Sequence, residues 1–364
     1  MNLDQKLEWV SRQFCIEGTY VGHETICVGN VNKTYEVRFR RPDGSPKSYL
    51  IQNVNTYAFR KPVELMNNID RVTEHIRRKN PDQIALHYHH TRDRKIYVAD
   101  GENFWRMTNF IPSVTYSSVN SRKVVLNAGK AFGEFQQHLS DFDIHQLTET
   151  IPDFHNTKAR YQQLEAAVAA DPEGRVSQVR EEIDYLMSVR EDACLLTDLQ
   201  EKGELPLRVT HNDTKINNVL FDPSDDSAVV VIDLDTVMPG LMGNDFGDAI
   251  RFAANKVEED CPEPEKAGLN LDIFSAFAQG FLSKTAQTMT QNEIDTLAQS
   301  CFCLTAELAT RFLTDYILGD PYFNTRYPEH NLVRTRCQIA LAKDMVHHRQ
   351  DMEQIIRNCV AEYR

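Results

Sequence analysis

Four polar residues near the middle of the chain have the types and the spacing to move a phosphoryl group. Asp213, Lys215, Asn218 and Asp233 stand at relative positions 0, 2, 5 and 20. Transfer to a hydroxyl calls for a carboxylate that orients and deprotonates it, a cation for the terminal phosphate, and oxygen ligands for magnesium. Asp213 as base, Lys215 as cation, and Asn218 with Asp233 as metal ligands meet those needs in order. His211, Asp213 and Asn218 also match the spacing H-x-D-x-x-x-x-N of a catalytic loop for this chemistry. A turn of solvated Asp and Asn would share the composition, but it would not require a second carboxylate at the end of the next apolar run.

The elements that must hold these groups lie on either side. Leu207 and Val209 lead into the polar loop, Val219, Leu220 and Phe221 leave it, and the β-branched run from Val229 to Ile232 stops at Asp233. This predicts strand, loop, strand, turn, strand, with polar groups where rigid elements give way to loop. Upstream, strands are expected over 22–28, 34–39 and 48–54, after a short helix within 3–15. Between the first two strands, Gly29 and Asn32 sit in a small loop whose N–H groups can fold over a phosphate chain. An ordinary hairpin turn would read the same.

Pro62 to Lys79 predicts a helix, with proline at its start, basic residues at its end, and Val63, Met66, Ile69, Val72 and Ile76 in one stripe. His87, His89 and His90 fall in a strand-like run without a carboxylate nearby, which reads as structure rather than a metal site. Helical periodicity dominates from Ser121 onward. It covers 157–171, 173–203, a segment opening at Asn244, 271–285, 291–318 and 330–362. Asp245 and Asp248 are expected to cap and brace the helix at 244. The fold class is α+β, a small antiparallel sheet followed by a larger, mostly helical part.

HNDTKINN followed by VVVIDLDT resembles the active-site segment of the aminoglycoside phosphotransferase and choline kinase superfamily, relatives of the protein kinases. GNVNKTYEV, QLTETIPDFHNT and YPEHNLVRTR are similar to one branch, the bacterial N-acetylhexosamine 1-kinases. The resemblance covers nearly the whole chain. It implies a two-lobed protein-kinase-like fold: a nucleotide-binding lobe at 1–108, a hinge at 109–112 and a catalytic and sugar-binding lobe at 113–364. It also implies ATP and Mg²⁺ as cofactors and transfer to the anomeric hydroxyl of an N-acetylhexosamine (GlcNAc or GalNAc). By the same resemblance the backbone near Asn109 and Ile111 meets the adenine, and Asp235, Arg311 and Tyr322 contact the sugar. Kinases of choline, aminoglycosides or methylthioribose would share the machinery and differ in the acceptor pocket. A catalytically inactive nucleotide-binding regulator is the non-enzyme alternative.

One position departs from the kinase pattern. The third strand carries Gln52 where a lysine for the α/β-phosphates is expected. Glutamine can donate a hydrogen bond but no charge, so Lys215 is the candidate for part of the missing cation, and Glu64 has no strand lysine to pair with.

Composition narrows the partners. A net charge of −13 argues against nucleic acid and anionic membranes. Eight cysteines without a C-x-x-C read as free thiols of a cytoplasmic protein. No basic-then-apolar leader and no run near ~20 apolar residues is visible. The expected partners are a small sugar and a nucleotide, with the oligomeric state open.

Overall fold

Alternation builds the first half of the chain. In β2 (Lys33–Arg40) Tyr35, Val37 and Phe39 are buried while Arg38 and Arg40 are exposed, the period of a strand with one covered face. The computed structural model describes residues 1–26, 31–101, 103–118 and 121–364, so Gly29 lies outside the described residues. β2 joins β1 (Thr19–Ile26), β3 (Pro46–Val54), β4 (Val98–Asp100) and β5 (Asn103–Asn109) in a five-stranded antiparallel sheet of order β1-β2-β3-β5-β4.

One face packs Tyr35, Val37, Phe39, Tyr49, Ile51, Trp105 and Met107 against Leu7, Val10 and Phe14, most of which come from helix α1 (Leu3–Ser11). The other face carries a polar ladder. Thr34 is the register partner of Gln52, and Gln52 of Arg106. Helix α2 (Pro62–Lys79) runs as expected, with Met66, Ile69 and Val72 fully buried, although Val63 is exposed. The run 84–90 forms no extended strand. It makes an isolated bridge, Tyr88 with Thr108.

The chain divides into two compact units. The first is Met1–Val114 with Phe142–Ile151 and Ile232–Met238; the second is Thr115–Asp141, Pro152–Val231 and Pro239–Arg364. In the first unit, buried Asn68 of α2 ties in the two later segments. Its side chain donates to the carbonyls of Thr148 (2.7 Å) and Val237 (3.0 Å) and accepts from Thr148 N–H (2.9 Å).

The second unit is helical around two short strand pairings. Helices α3 (Arg122–His138) and α9 (Leu271–Thr285) meet at glycines. A Cβ on Gly280 would lie 2.1 Å from the Leu126 carbonyl oxygen, and one on Gly129 2.4 Å from that of Phe277. Only hydrogen fits there, so the backbones come into direct contact. The remaining helices are α4 (Thr157–Ala170), α5 (Arg180–Ser188), α6 (Arg190–Ala193), α7 (Leu195–Glu201), α8 (Met242–Ala253), α10 (Gln291–Ile317), α11 (His330–His347) and α12 (Arg349–Tyr363). The span expected as one helix over 173–203 is therefore divided, and that over 330–362 breaks at His348. A capping box, Thr290 with Glu293, starts the long α10. No described helix is long and apolar enough to cross a membrane.

Candidate active site

The polar loop leaves β6 (Arg208–Thr210), passes through a 3₁₀ turn at Ile216–Asn218 and enters the hairpin of β7 (Val219–Phe221) and β8 (Ala228–Val231), whose register pairs Val219 with Val231. The loop cannot hold its shape alone. Asn212 takes φ 64°, which a non-glycine residue keeps only when its surroundings over-determine it. The second unit supplies those surroundings. Asp245, in the first turn of α8, accepts from the N–H groups of His211 (2.9 Å) and Asn212 (2.7 Å) and from the Gln136 amide (2.6 Å). Burial pushes the Asp245 carboxyl up, against the pull of those donors. Asp248 accepts from Thr214 N–H at 3.0 Å and pairs with buried Arg251 at 2.8 Å. Burial pushes Asp248 up too, but Arg251 and Lys215 outweigh it and leave the carboxyl below its usual range. The imidazole of His211 is wholly buried between Phe132 and Phe135, at centroid distances of 5.6 and 6.0 Å.

This scaffold brings three of the expected residues together. Asn218 donates its amide to the Asp213 carbonyl (2.8 Å) and to Asp213 Oδ2 (3.1 Å), and Lys215 Nζ lies 2.9 Å from Asp213 Oδ1. The neighbouring Asp213 carboxylate raises the Lys215 ammonium above its ordinary range. Lys215 is thus paired with Asp213.

Arg106 of β5, which sequence reasoning passed over, is 1% exposed, and its Nε donates to Gln52 Oε1 at 2.9 Å. Its two terminal nitrogens grip Asp235, Nη2 to Oδ2 at 3.1 Å and Nη1 to Oδ1. Asn32 also donates to Asp235 Oδ2 at 2.7 Å. Asp235 is 3% exposed with both oxygens engaged, as a buried counter-ion to Arg106. Asp233, in the same unit, precedes the 3₁₀ turn Leu234–Thr236 with φ 60°. Asn109 ends β5 with its side chain 3.0 Å from His89 Nε2, and Ile111 lies two residues beyond the strand end. Glu64 is exposed.

In the second unit Arg311 and Tyr322 come together. The Arg311 guanidinium lies 5.7 Å from the ring of Phe154, 5.9 Å from Tyr322 and 5.5 Å from Phe323. Asp315 sets the loop by accepting from the N–H groups of Tyr322 and Phe323, both at 2.9 Å. Tyr322 is 68% exposed, so much of its side chain meets solvent beside a cation. Phe154 continues into His155, whose Nδ1 lies 2.9 Å from buried Glu307 and whose Nε2 lies 3.4 Å from the Asn212 carbonyl oxygen. The aromatic–guanidinium cluster is therefore anchored next to the residue that precedes Asp213. Sequence reasoning missed Phe154, His155 and Glu307, whose signal is scattered over 153 positions.

A cavity of about 540 Å³ in the same unit is lined by Ser117, Arg251, Lys256, Glu258, Glu259 and Asp260. Two of its carboxylates have partners: Arg251 lies 2.5 Å from Glu259, and His330 Nε2 lies 3.0 Å from Asp260. Among the described residues, no three His, Cys, Asp or Glu side chains cluster as a metal cage.

A sequence profile described as the phosphotransferase enzyme family matches residues 31–273. Solved structures share the fold. An aminoglycoside phosphotransferase from Alicyclobacillus acidocaldarius superposes with TM-score 0.61 at 12% identity, covering 97% of this chain and 96% of that one. An ethanolamine kinase from Plasmodium vivax gives 0.54 at 14%, covering 87% and 81%. An amicoumacin kinase in complex with AMP-PNP, Ca²⁺ and Ami gives 0.56 at 14%, covering 93% of each chain.

Proposed function

The chain belongs to the phosphotransferase enzyme family, and from that premise we propose that it uses ATP and Mg²⁺ to phosphorylate the anomeric hydroxyl of an N-acetylhexosamine. The observation that carries the reading is the Asp213 carboxylate clamped between Lys215 and Asn218, on a loop braced by His155 beside the Arg311–Tyr322 cluster.

The donor set fits the cofactor. Magnesium binds through one or two carboxylates or amide oxygens and keeps its other positions for water and phosphate, so it needs no all-protein cage. Asn218 spends its N–H groups on Asp213, which leaves its amide oxygen for a cation. We assign Asn218 and Asp233 as the metal ligands. When bound, Mg·ATP supplies the γ-phosphoryl group and neutralises its charge.

The chain's own groups do the rest. Asp213 accepts a hydrogen bond from the anomeric hydroxyl and takes its proton as that oxygen becomes the nucleophile. Lys215 fixes the carboxylate and offers charge to the transferred group. Arg311 binds sugar or acetamide oxygens as a charged donor, while Tyr322 packs a ring face on the sugar. The nucleotide lobe contributes the loop at Gly29 and Asn32 to the phosphates and the backbone at Asn109 and Ile111 to the adenine. The Gln52 side chain is taken up by Arg106 and Thr34.

ADP release with Mg·ATP and a panel of acceptors tests this reading. Turnover of N-acetylglucosamine or N-acetylgalactosamine, abolished in their 1-O-methyl glycosides, is expected. Turnover of choline, ethanolamine or kanamycin instead would keep the chemistry and discard the sugar. ADP or ATP binding without turnover of any acceptor would point to the regulator.

A further inference from the structure

A buried arginine in a sheet is expensive unless it organises something. Arg106 organises a chain of contacts through the first unit. Its register partner Gln52 puts both side chains on one sheet face, and Gln52 passes the contact to Thr34 at 3.2 Å. At its other end the guanidinium fork seats the Asp235 carboxylate, which Asn32 also holds, and Asn32 in turn accepts from the Asn55 N–H at 2.9 Å. Strands β2, β3 and β5, the chain beyond β3, and the turn Leu234–Thr236 thus hang on one cation. Asp233 lies two residues before Asp235, in a left-handed conformation that its surroundings must impose.

We propose that Arg106 is the positioning cation of this site: in place of the lysine that Gln52 lacks, it holds the Asp235 turn and so presents Asp233 to the metal–nucleotide complex. The proposal rests on the reading of Asp233 as a metal ligand. An arginine suits the task because its planar fork fixes a carboxylate in two places, where an ammonium would fix a point. The ladder also explains how the third strand dispenses with its lysine. The cation has moved one strand sideways, at the same register, and its counter-ion has moved from the helix residue Glu64 to Asp235.

The test uses the full chain and Mn²⁺·ADP as probe, read by electron paramagnetic resonance, with acceptor KM and Tm measured beside it. In Arg106→Gln the Mn²⁺·ADP affinity is expected to fall about 10–100-fold, the usual effect of losing a group that orients a metal ligand, while acceptor KM stays within about twofold. Arg106→Lys should recover part of the loss. The exchange Arg106→Gln with Gln52→Lys, which returns the cation to the third strand, should recover most of it even if Tm stays low. Wild-type affinity in Arg106→Gln would overturn the proposal. So would a loss that neither the lysine variant nor the exchange repairs, since Arg106 would then be a fold element only. Should Arg106→Gln fail to fold, the lysine variant and the exchange decide alone. A wild-type protein that does not bind Mn²⁺·ADP would instead overturn the functional reading, and the proposal with it.

Discussion

Asp245→Asn tests whether the catalytic loop is held from below. The carboxylate accepts from His211 and Asn212 N–H and from Gln136, and the substituted amide can accept through only one of its two atoms. Whichever way it turns, its NH₂ faces a buried N–H, so at least one charge-assisted bond is lost and at least one donor is left unsatisfied. Charge-assisted bonds contribute about 1.5–3 kcal/mol, and an orphaned buried donor costs about 1–3 kcal/mol. Burial already pushes this carboxyl up, so relief of a desolvated charge offsets part of the loss. A net loss of about 2–3 kcal/mol remains. It falls on Asn212, whose φ of 64° is imposed and which adjoins Asp213. A shift of the base by ~1 Å can lower turnover by about 10². Steady-state kcat at saturating substrates and a thermal melt on the same sample measure both effects. The variant is expected to lose about 10² in kcat and several degrees of Tm. Wild-type kcat with unchanged Tm would refute the claim that Asp245 shapes the loop.

Three further outcomes are expected. Asp213→Asn should lower kcat by about 10²–10⁴ while Mg·ADP affinity, by calorimetry, stays within about threefold; near-wild-type turnover would remove Asp213 from the role of base. Arg311→Met should raise acceptor KM about tenfold or more, the scale of one charged hydrogen bond, with a smaller change in kcat; an acceptor titration at saturating ATP reads the split, and equal losses in both would place Arg311 outside ground-state binding. Burial pushes Glu307 up, but His155 and its other partners outweigh this and hold it below the ordinary glutamate value, so its stabilisation is present above the unfolded pKa and lost as pH falls through the folded one. Wild type should therefore melt above Glu307→Gln at pH 7, and the gap should shrink as pH falls below about 4.3; a gap that is constant with pH would contradict the ionised Glu307 carboxylate.

What the sequence revealed was local. Asp213, Lys215 and Asn218 fall within six residues of a loop between apolar runs, and the structure keeps them in mutual contact. Three of the five sheet strands, β1, β2 and β3, stood out as strand-like runs, α2 by periodicity and end signals, and α9 and α10 as helical stretches. What stayed hidden depends on distant partners. Arg106 is one charge in an aromatic strand, FWRMTNF, and its role appears only with Asp235, 129 positions on. Asp245 looks like a helix cap, yet α8 begins after Leu241 and the carboxylate serves a loop 33 to 34 residues back. The break at His348 left no trace, because Met345, Met352 and Cys359 keep a heptad spacing across it and all are buried.

The most direct test of the account is where the phosphate ends up. Incubating the protein with Mg·ATP and [1-¹³C]-N-acetylglucosamine, and separately with the galactosamine analogue, lets ³¹P–¹³C NMR read the linkage. The account predicts a product whose phosphorus couples to the labelled anomeric carbon, with one ADP formed per product. Phosphorus coupled to a different carbon of the sugar, or ADP formed without any sugar phosphate, would contradict it.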